Sequence, residues 1–497
     1  MNKLLSADQI RAWDQYTILH EPISSIELME RASVACFDWI ANKYTHAQHL
    51  SVLCGNGNNG GDGLAIARML VQTGFQVTVY LLSEENRSED NLINLHRLKD
   101  IGFEQIVSLN PGIVFKEKSI LIDALFGTGL NRPLDNSFVE LIKNMNEQRH
   151  EVISIDLPTG MMADNFIPET VIVEASYTLS FEQYKKAFLF EETGKHAGEI
   201  IILPIGLSTD FEMNTPSLNY LIDKNLIKAN YKRRKPFTHK GSYGHSLLIA
   251  GSIGKMGACV LAAKACLRSG TGLLTCLVPA SENQIIQMSV PEAMTLIQET
   301  NQRLDTSMYQ SIGIGPGLGK SEEVVEILKN LLAQINFPLV VDADAINLIA
   351  SHKELLNQLP KQSVITPHPK EFDRLFGNHA TSYERHEAQK FYAKKFQLNI
   401  LLKGTHSCLA TPNGECYFNT TGNAGMAKGG SGDVLTGMIT GFYAQYKDMK
   451  IATMMSMYLH GLSADLAIKK IAQESLLASD IVDHISAAML QVADAYE

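Results

Sequence analysis

Two glycine-rich segments contain residues whose types and spacing suit chemistry at a phosphate or an ion. The first, GNGNNGGDGLAIAR, covers residues 55–68, after an apolar run and at the start of a helical pattern. Backbone N–H groups at such a helix N-terminus can face an anion. Its glycines satisfy the G-x-G-x-x-G pattern of a dinucleotide-binding turn, and Glu84 follows at the spacing of a ribose-binding acid. Such a turn does not require two adjacent asparagines or Asp62, which add further oxygen ligands.

Two later loops also end apolar runs with polar side chains. ILIDALFGTGLNRPL presents Asp123 before a glycine-rich turn, and VISIDLPTG presents Asp156 and Thr159. Ligands bind at the carboxyl ends of strands in open parallel sheets, so these side chains are expected to converge. Hard oxygen ligands without thiols or paired histidines suit an alkali or alkaline-earth cation. Turn chemistry explains each loop alone. Three loops in series indicate a site formed by Asn58, Asn59, Asp62, Asp123, Asp156 and Thr159.

The second glycine-rich segment, NAGMAKGGSGDVLTGMITG, covers residues 423–441 and opens another helical pattern. Glycines there allow phosphates to approach the helix N-terminus, and Asp433 follows them directly. A carboxylate in this place can take a proton from a substrate hydroxyl beside the phosphoryl group that is transferred. The alternative is that Asp433 only caps the helix. Agreement with several accessory loops favours the catalytic interpretation.

The accessory loops carry polar groups at expected strand ends and turns. Lys403 ends an apolar run and is expected to face the phosphates, and His368 stands between two prolines that restrict its position. Asp342 and Asp344 alternate at a strand end, and the sequence leaves open whether they assist Mg²⁺ or cap the next helix. The accessory segments are residues 239–252, a small-residue helix that begins at Lys255, and residues 314–319, 340–347, 366–372 and 401–407.

Short apolar runs alternate with helical patterns in both halves of the chain. This alternation is typical of parallel sheets that are covered by helices. Two helices are expected before the first strand of the chain, and Ser6 with Gln9 has the form of a capping box. Strands are expected within residues 50–54, 75–82, 119–126, 151–158 and 199–207 of the first half, and within residues 245–252, 272–279, 311–317, 338–345, 364–369 and 399–404 of the second.

The alternation of apolar runs and helical patterns stops after residue 207. Residues 224–240 then carry seven basic and no acidic side chains. This basic run is interpreted as a solvated linker, with a patch that attracts an anionic nucleotide as the alternative. We therefore predict two α/β domains with a boundary near residues 208–230. The first covers residues 1–215 and the second residues 230–497.

Composition restricts the class of protein. The 497 residues are 45% hydrophobic and 19% charged, which suits globular domains with buried cores. With 43 basic against 53 acidic side chains the formal net charge is −10, which argues against nucleic acid as a partner. The seven cysteines form no CxxC pair and indicate reduced core residues rather than disulfides or zinc ligands. No apolar run is long enough for a membrane span, so a soluble, cytoplasmic protein is expected.

The motifs GNGNNGGDGL, DALFGTGL and IDLPTG, in this order, resemble the N-terminal domain of the NAD(P)H-hydrate repair enzymes, the NAD(P)HX epimerase. The resemblance covers residues 1–215 and implies a Rossmann-like parallel-sheet domain. It implies that K⁺ binds to Asn59, Asp123 and Thr159, where Thr159 replaces the serine usual in the family. It implies that the hydrated nicotinamide nucleotide contacts Asn58, Asn59, Gly60, Gly61, Asp62, Gly127, Thr128, Gly129, Leu130, Asn131, Arg132, Pro133 and Asp156.

Residues 230–497, with GGSGD where the family often has GGTGD, resemble the C-terminal dehydratase domain of the same enzymes, a ribokinase-like α/β fold. The resemblance implies that the (S)-hydrate contacts Ala258, Gly317, His368 and Asp433. It implies that the adenine nucleotide is held by Lys403, Gly404, Thr405, His406, Ser407 and Gly432.

Together the resemblances imply a bifunctional repair enzyme. Its first domain would interconvert the R and S epimers of hydrated NADH and NADPH. Its second would use ADP, with ATP as the alternative, and Mg²⁺ to restore NAD(P)H. Asp156 and Asp433 would be the catalytic residues, and a homo-oligomer is expected. One rival function is a vitamin or sugar kinase of the ribokinase-like class. In the other rival function, the first half is a noncatalytic nucleotide-binding module. The presence of Asp123, Asp156 and the asparagine pair argues against that function.

Overall fold

The computed structural model describes residues 2–82, 85–297 and 304–493. The chain divides into two compact units, one of residues 4–217 and one that joins residues 1–3 to residues 218–497. Strand β1 (Asn2–Lys3) therefore belongs to the second unit. Glu84, the expected ribose-binding acid, lies outside the described residues.

The first unit is built on a seven-stranded sheet in which all neighbouring strands run parallel, in the order β4-β3-β2-β5-β6-β7-β8. Its strands are β2 (His49–Cys54), β3 (Gln76–Leu81), β4 (Ile106–Ser108), β5 (Ile120–Ala124), β6 (Val152–Ile155), β7 (Tyr177–Phe181) and β8 (Glu199–Leu203). Its helices are α1 (Ala7–His20), α2 (Ser25–Lys43), α3 (Asn58–Gln72), α4 (Glu89–Asp100), α5 (Asn136–Glu147), α6 (Glu191–Gly194) and α7 (Thr209–Asn214).

The central strands of this sheet are buried along almost their whole length. Val52, Ile122 and Ile153 pack in one core with apolar residues of α2 and α3. Continuous apolar strands are expected where helices cover both faces of a parallel sheet. The capping box at Ser6 and Gln9 is confirmed at the start of α1. The sheet thus fixes the ends of β2, β5 and β6 side by side.

The second unit has an eleven-stranded mixed sheet in the order β1-β9-β18-β17-β16-β15-β14-β13-β10-β11-β12. Its remaining strands are β9 (Asn219–Ile222), β10 (His245–Ile249), β11 (Leu273–Val278), β12 (Met294–Ile297), β13 (Ser311–Ile314), β14 (Val340–Val341), β15 (Val364–Ile365), β16 (Asn399–Leu402), β17 (Cys408–Ala410) and β18 (Cys416–Asn419). Its helices are α8 (Lys224–Asn230), α9 (Met256–Arg268), α10 (Asn283–Ser289), α11 (Glu322–Leu332), α12 (Ala343–Ser351), α13 (Pro369–Phe376), α14 (Ser382–Phe396), α15 (Ser431–Tyr446), α16 (Met449–Ala467) and α17 (Ala478–Ala493).

The strands from β10 to β16 pair in parallel, whereas β16, β17 and β18 form antiparallel pairs. Strand β1 pairs antiparallel with β9 at the edge, with Asn2 opposite Leu221 and Lys3 opposite Tyr220. Helices α15 and α16 are buried along most of their length in the core of this unit. The glycine-opened helix that carries Asp433 is therefore rigidly supported.

The α/β fold class and all eleven expected strands are confirmed. Two expectations are wrong. The short strand β1 precedes the two N-terminal helices, since a pair of residues is too short for an alternating pattern to be visible. The interpretation of residues 224–240 as a solvated linker fails for residues 224–230, which form α8 and bury Leu226 and Ile227 in the core of the second unit.

All seven cysteines are buried, and none of them is paired in a disulfide within the described structure. Cys408 and Cys416 nevertheless lie with His386 in one buried group whose side-chain N and S atoms fall within 4.8 Å of one another. The spacing of these residues in the sequence did not indicate this arrangement. Within the described part of the chain, no helix is long and apolar enough to cross a membrane.

Candidate active sites

The first candidate site lies at the carboxyl edge of the first sheet. The turn after β2 leads into α3, whose first turn contains the asparagine pair and Asp62. Asp123 is part of β5, and Asp156 follows β6. Because β2, β5 and β6 are neighbours in the sheet, the three loops predicted to converge do start from adjacent strands.

Asp123 and Thr159 are in direct contact. The Thr159 hydroxyl donates to Asp123 Oδ1 at 2.6 Å, and the Thr159 backbone N–H donates to Oδ2 at 2.9 Å. Ser154 Oγ donates to the same Oδ2 at 2.9 Å. Burial raises the pKa of Asp123, and these hydrogen bonds oppose that shift. The structure therefore forms a fully buried cluster of oxygen atoms at this strand end.

Asn59 and Asp156 meet at Gly127. A Cβ on Gly127 would lie 3.0 Å from Asp156 Oδ2 and 3.2 Å from Asn59 Cγ, so a larger residue would push into both. The Asn59 side-chain nitrogen is buried and finds no hydrogen-bond partner among the described residues. An amide left unsatisfied in a polar crevice is available to a ligand. That nitrogen can only donate a hydrogen bond, whereas the buried oxygens of Asp123 and Thr159 are hard ligands of the kind that suit an alkali cation.

Asp156 is held in an unusual backbone conformation by a salt bridge and a hydrogen bond. Its φ of 65° lies in the left-handed region, which non-glycine residues adopt at a cost and often at functional sites. The Thr128 backbone N–H donates to Oδ2 at 3.0 Å, and Lys185 Nζ lies 3.1 Å from Oδ1. Lys185 is 1% exposed and also donates to the Phe181 carbonyl at 2.7 Å. Asp156 is therefore a buried carboxylate with a buried counter-ion.

Neither Lys185 nor Asp14 is among the site residues predicted from the sequence. Lys185 follows β7, a strand that the sequence did not indicate. Asp14 lies on α1, and its carboxyl group interacts electrostatically with Asp156 and Lys185. Burial, reinforced by the negative charge of Asp156, raises the pKa of Asp14 to about 7. Burial also raises the pKa of Asp62 well above its usual value, although the Ser33 hydroxyl donates to it at 3.2 Å.

The other residues predicted for this site differ in their exposure. Gly60 and Gly61 are buried in the first turn of α3, whereas Asn58 is exposed there. Gly129, Asn131, Arg132 and Pro133 are exposed, and Leu130 half-buried, on the loop that leads to α5.

The second candidate site is a cavity of about 440 Å³ in the second unit. It brings together three of the residues predicted to contact the substrate, since Ala258, Gly317 and Asp433 all line it. Asp344 contributes a second carboxylate, which accepts from the Gly319 backbone N–H at 2.9 Å. The full lining consists of Gly254, Lys255, Gly257, Ala258, Gly317, Ala343, Asp344, Asn347, Glu371 and Asp433.

Asp342 and Lys403 form an ion pair beside the glycine-rich turn. Lys403 Nζ donates to Asp342 Oδ1 at 2.8 Å, and the Thr436 hydroxyl donates to Oδ2 at 2.7 Å. Asp342 is 1% exposed and precedes α12 without making a side-chain cap. A Cβ on Gly432 would lie 3.4 Å from Lys403 Nζ, so the turn runs directly past the ammonium group. Asp342 therefore positions Lys403 and does not cap the helix.

Asp433 lies in the first turn of α15, whose N-cap Gly430 has a φ of 98° that favours glycine. Burial and the charge of Asp342 raise the pKa of Asp433 to about 6, while Lys403 opposes the shift. A carboxylate with this pKa is ionised at neutral pH but basic enough to accept a proton from a hydroxyl group.

His368 caps α13. Its Nδ1 accepts hydrogen bonds from the backbone N–H groups of Lys370 at 3.2 Å and Glu371 at 3.3 Å, and the Glu371 carboxylate accepts from the His368 backbone N–H at 3.0 Å. Burial lowers the pKa of His368, and its ring lies within electrostatic range of Lys403 and Asp342. The residue therefore has a structural role that is compatible with the predicted substrate contact.

The predicted nucleotide loop, residues 403–407, connects the antiparallel strands β16 and β17. Gly404 and Thr405 are exposed, and the Ser407 hydroxyl donates to the Gly404 carbonyl at 3.3 Å. Burial lowers the pKa of His406, whose Nδ1 is buried and finds no hydrogen-bond partner in the described structure. The loop starts at Lys403 and thus adjoins the same turn as Gly432.

The fold and the two sites define a two-domain α/β protein with a Rossmann-like first unit and a ribokinase-like second unit. A family model described as YjeF-related protein N-terminus matches residues 25–187, and one described as NAD(P)H-hydrate dehydratase matches residues 246–487. The bifunctional NAD(P)H-hydrate repair enzyme Nnr of Moorella thermoacetica is 32% identical over 97% of this chain and 96% of its own length. That of Coxiella burnetii is 31% identical over 98% and 99%.

Two solved structures resemble the second unit. The ADP/ATP-dependent NAD(P)H-hydrate dehydratase of Bacillus subtilis, co-crystallised with ATP and Mg²⁺, is 32% identical with a TM-score of 0.50, over 56% of this chain and 99% of its own. A ribokinase-like superfamily protein of Enterococcus faecalis is 30% identical with a TM-score of 0.50, over 56% of this chain and 98% of its own.

This chain belongs to the family of bifunctional NAD(P)H-hydrate repair enzymes, because the two full-length relatives match it over almost its whole length.

Proposed function

We propose that this chain repairs hydrated NADH and NADPH by two reactions. The first unit interconverts the R and S epimers of the hydrate, and the second converts the S epimer to NAD(P)H at the expense of ADP, releasing AMP and phosphate. The observation that supports this most strongly is the cavity lined by Ala258, Gly317 and Asp433, next to the Lys403–Asp342 ion pair. It combines a place for a substrate with a base and an anion-binding turn.

The dehydration needs activation because a hydroxyl group is a poor leaving group, whereas phosphate is a good one. Asp433 takes the proton from the ring hydroxyl as the hydroxyl oxygen attacks the terminal phosphorus of ADP and the bond to AMP breaks. Phosphate then leaves the ring carbon with the C–O electrons while the ring nitrogen lone pair forms a C=N bond. Loss of a proton from the neighbouring ring carbon to water restores the double bond of NAD(P)H. Lys403 and the N-terminus of α15 stabilise the negative charge on the transferred phosphoryl group. When bound, Mg²⁺ would supply charge neutralisation between the phosphates. Asp344 is the candidate to hold it, because this carboxylate lines the cavity and Gly319 and Lys255 both contact its Oδ2, whereas Lys403 and Thr436 engage one oxygen each of Asp342.

We expect purified protein to convert an epimer mixture completely to NADH when ADP is added, with one phosphate released per NADH. Absorbance of the reduced ring and a phosphate assay measure the two products. The rival function, a small-alcohol kinase, predicts a stable phosphorylated product instead. Absence of NADH formation with either ADP or ATP would contradict the proposed dehydratase.

We also expect the two activities to separate when the chain is cut between residues 217 and 218, because each side forms its own compact unit. The fragment of residues 218–497 should dehydrate only the S epimer at the enzymatic rate, with the R epimer following its slow spontaneous epimerisation. Adding the fragment of residues 4–217 should restore consumption of both. Fast use of both epimers by the second fragment alone would contradict this division.

We propose that K⁺ binds to Asn59, Asp123 and Thr159. The buried cluster of oxygen atoms formed by Asp123 and Thr159 supports this assignment, and Asn59 would contribute its side-chain carbonyl oxygen. Asp123→Asn keeps the side-chain shape but removes the charge, so we expect the K⁺ concentration for half-maximal epimerisation to rise at least about tenfold. The thermal stabilisation of the protein by K⁺ should weaken in parallel. Asp100→Asn, an exposed change in the same unit, is the control. Unchanged K⁺ dependence of Asp123→Asn would refute the assignment.

The homo-oligomer stays a prediction, and so does the cytoplasmic location, which was predicted from the lack of a long apolar run in the sequence. Sedimentation of the purified protein tests the first of these.

A further inference from the structure

We propose that the second unit binds one Zn²⁺ ion between the side chains of His386, Cys408 and Cys416. This site is separate from the chemistry of both candidate active sites. Among the described residues that line the cavity of the second unit, none belongs to this group. The inference therefore does not depend on either proposed reaction.

A hairpin and a helix bring the three side chains together. Strands β17 and β18 pair antiparallel, with Cys408 opposite Phe418 and Ala410 opposite Cys416. Alternate residues of a strand share a face of the sheet, so Cys408, Phe418 and Cys416 lie on the same face. Helix α14 packs against β16 and β17, and the ring centroid of His386 on this helix is 5.3 Å from that of Phe418. His386 therefore reaches the face that carries both thiols.

The distances within this group are close to those of a metal site. His386 Nδ1 lies 3.9 Å from Cys408 Sγ, and the side-chain N and S atoms of all three residues fall within 4.8 Å of one another. Zinc binds sulfur at about 2.3 Å and imidazole nitrogen at about 2.0 to 2.1 Å, which places ligands of one ion about 3.5 to 4.0 Å apart. Side-chain rotations that contract the group by about 1 Å would enclose the ion.

Burial and charge select the kind of ion. The three side chains are at most 5% exposed, and a charge in such a place is costly unless it is neutralised. Two thiolates balance the two charges of Zn²⁺, and the neutral imidazole adds none. The two thiol protons are released when the ion binds. Sulfur and imidazole ligands suit Zn²⁺, whereas Mg²⁺ and Ca²⁺ prefer oxygen.

Gln389 supports the group from the next turn of α14. Its side chain is fully buried, and its amide nitrogen donates to the Ile400 carbonyl at 2.8 Å and the Cys408 carbonyl at 2.7 Å. Its Oε1 lies 3.4 Å from His386 Nδ1. Structural zinc sites have four ligands, so Gln389 Oε1 is the candidate for the fourth position.

The sequence analysis interpreted the cysteines as core residues because none of them forms a CxxC pair. The hairpin register replaces that adjacency, since it places Cys408 and Cys416 on one face although they are further apart in the chain. Cys408 directly follows the predicted nucleotide loop, residues 403–407. A bound ion would therefore tie α14 to the hairpin at the point where this loop enters β17.

The experiment titrates full-length protein that has been reduced and freed of metal with a chelator. We expect Co²⁺ to give one equivalent of binding with a thiolate-to-cobalt charge-transfer band in the near ultraviolet, which oxygen ligands do not produce. Zn²⁺ should displace the cobalt, abolish the band, release about two protons per ion in weakly buffered solution, and raise the midpoint of thermal unfolding. Wild-type protein without the charge-transfer band would overturn the inference, even if zinc binds elsewhere.

Variants identify the ligands. Loss of a group that only supports a ligand weakens metal binding about 10- to 100-fold, which is the effect expected for Gln389→Leu. Cys408→Ser and Cys416→Ser should weaken zinc binding at least about 100-fold, because each removes a ligand itself. Cys276→Ser, which changes a buried thiol on β11, is the matched control and should bind zinc like wild type. Circular dichroism of the metal-free variants checks their folding. A charge-transfer band of wild-type intensity in folded Cys408→Ser or Cys416→Ser would refute the assignment.

Discussion

Asp433→Asn is expected to lower ADP-dependent NADH formation from the (S)-hydrate by about 10²- to 10⁴-fold, equivalent to about 3 to 5 kcal/mol of activation free energy. The amide keeps the size of the side chain but cannot take the hydroxyl proton. Binding of ADP should persist, because Lys403 and its partner Asp342 are untouched. Epimerisation in the other unit should proceed normally.

The pH profile gives a second test of Asp433. The base must be ionised, so the wild-type dehydration rate should fall as pH drops through about 6, which is the pKa that burial gives this residue. Thermal stabilisation by ADP serves as the binding control for Asp433→Asn. If the variant dehydrates the substrate within a few fold of wild type, Asp433 is only part of the helix N-terminus.

The second large effect is expected at Lys185. Replacing it by methionine leaves the Asp156 carboxylate buried without its counter-ion, 3.1 Å from where the ammonium group was. Loss of one partner of a buried pair costs about 3 to 5 kcal/mol. We expect the urea unfolding midpoint of the first unit to drop accordingly and epimerase activity to be lost.

Two variants control this prediction. Lys195→Met removes an exposed lysine of the same unit and should leave stability unchanged. Lys185→Met combined with Asp156→Asn removes both charges and should recover most of the lost stability, although not the activity. Equal unfolding midpoints for wild type and Lys185→Met would show that the ion pair contributes nothing to the fold.

The sequence predicted the parts of both sites that lie in local motifs. Glycine-rich turns at the ends of apolar runs identified Asp123 and Thr159, and the structure brings these two into contact. The same reasoning identified Asp433 and Gly317, which line one cavity. Such motifs are visible because the turn geometry and the parallel sheet both constrain neighbouring residues in the chain.

The missed residues depend on distant partners. Lysine is normally a surface residue, and Lys185 is buried only because Asp156, far away in the sequence, neutralises it. Asp342 remained ambiguous between Mg²⁺ and a helix cap because its partner Lys403 is 61 residues away. The basic run was taken for a linker because lysines dominate its composition, yet Leu226 and Ile227 anchor α8 in the core.

The edge pairing of β1 with β9 sets an order of events during synthesis. Residues 4–217 leave the ribosome before β9 exists, so this unit can fold while residues 2–3 still lack a partner. Within the folded unit the Ser217 hydroxyl donates to the Leu4 carbonyl at 2.9 Å, which holds the two ends of the unit side by side. Pairing of Lys3 with Tyr220 then requires closure of a loop of only a few residues, because the contact between Ser217 and Leu4 has already joined the ends of the long segment between them. The contact between the two ends of the first unit thus shortens the loop that must close before β1 can pair with β9.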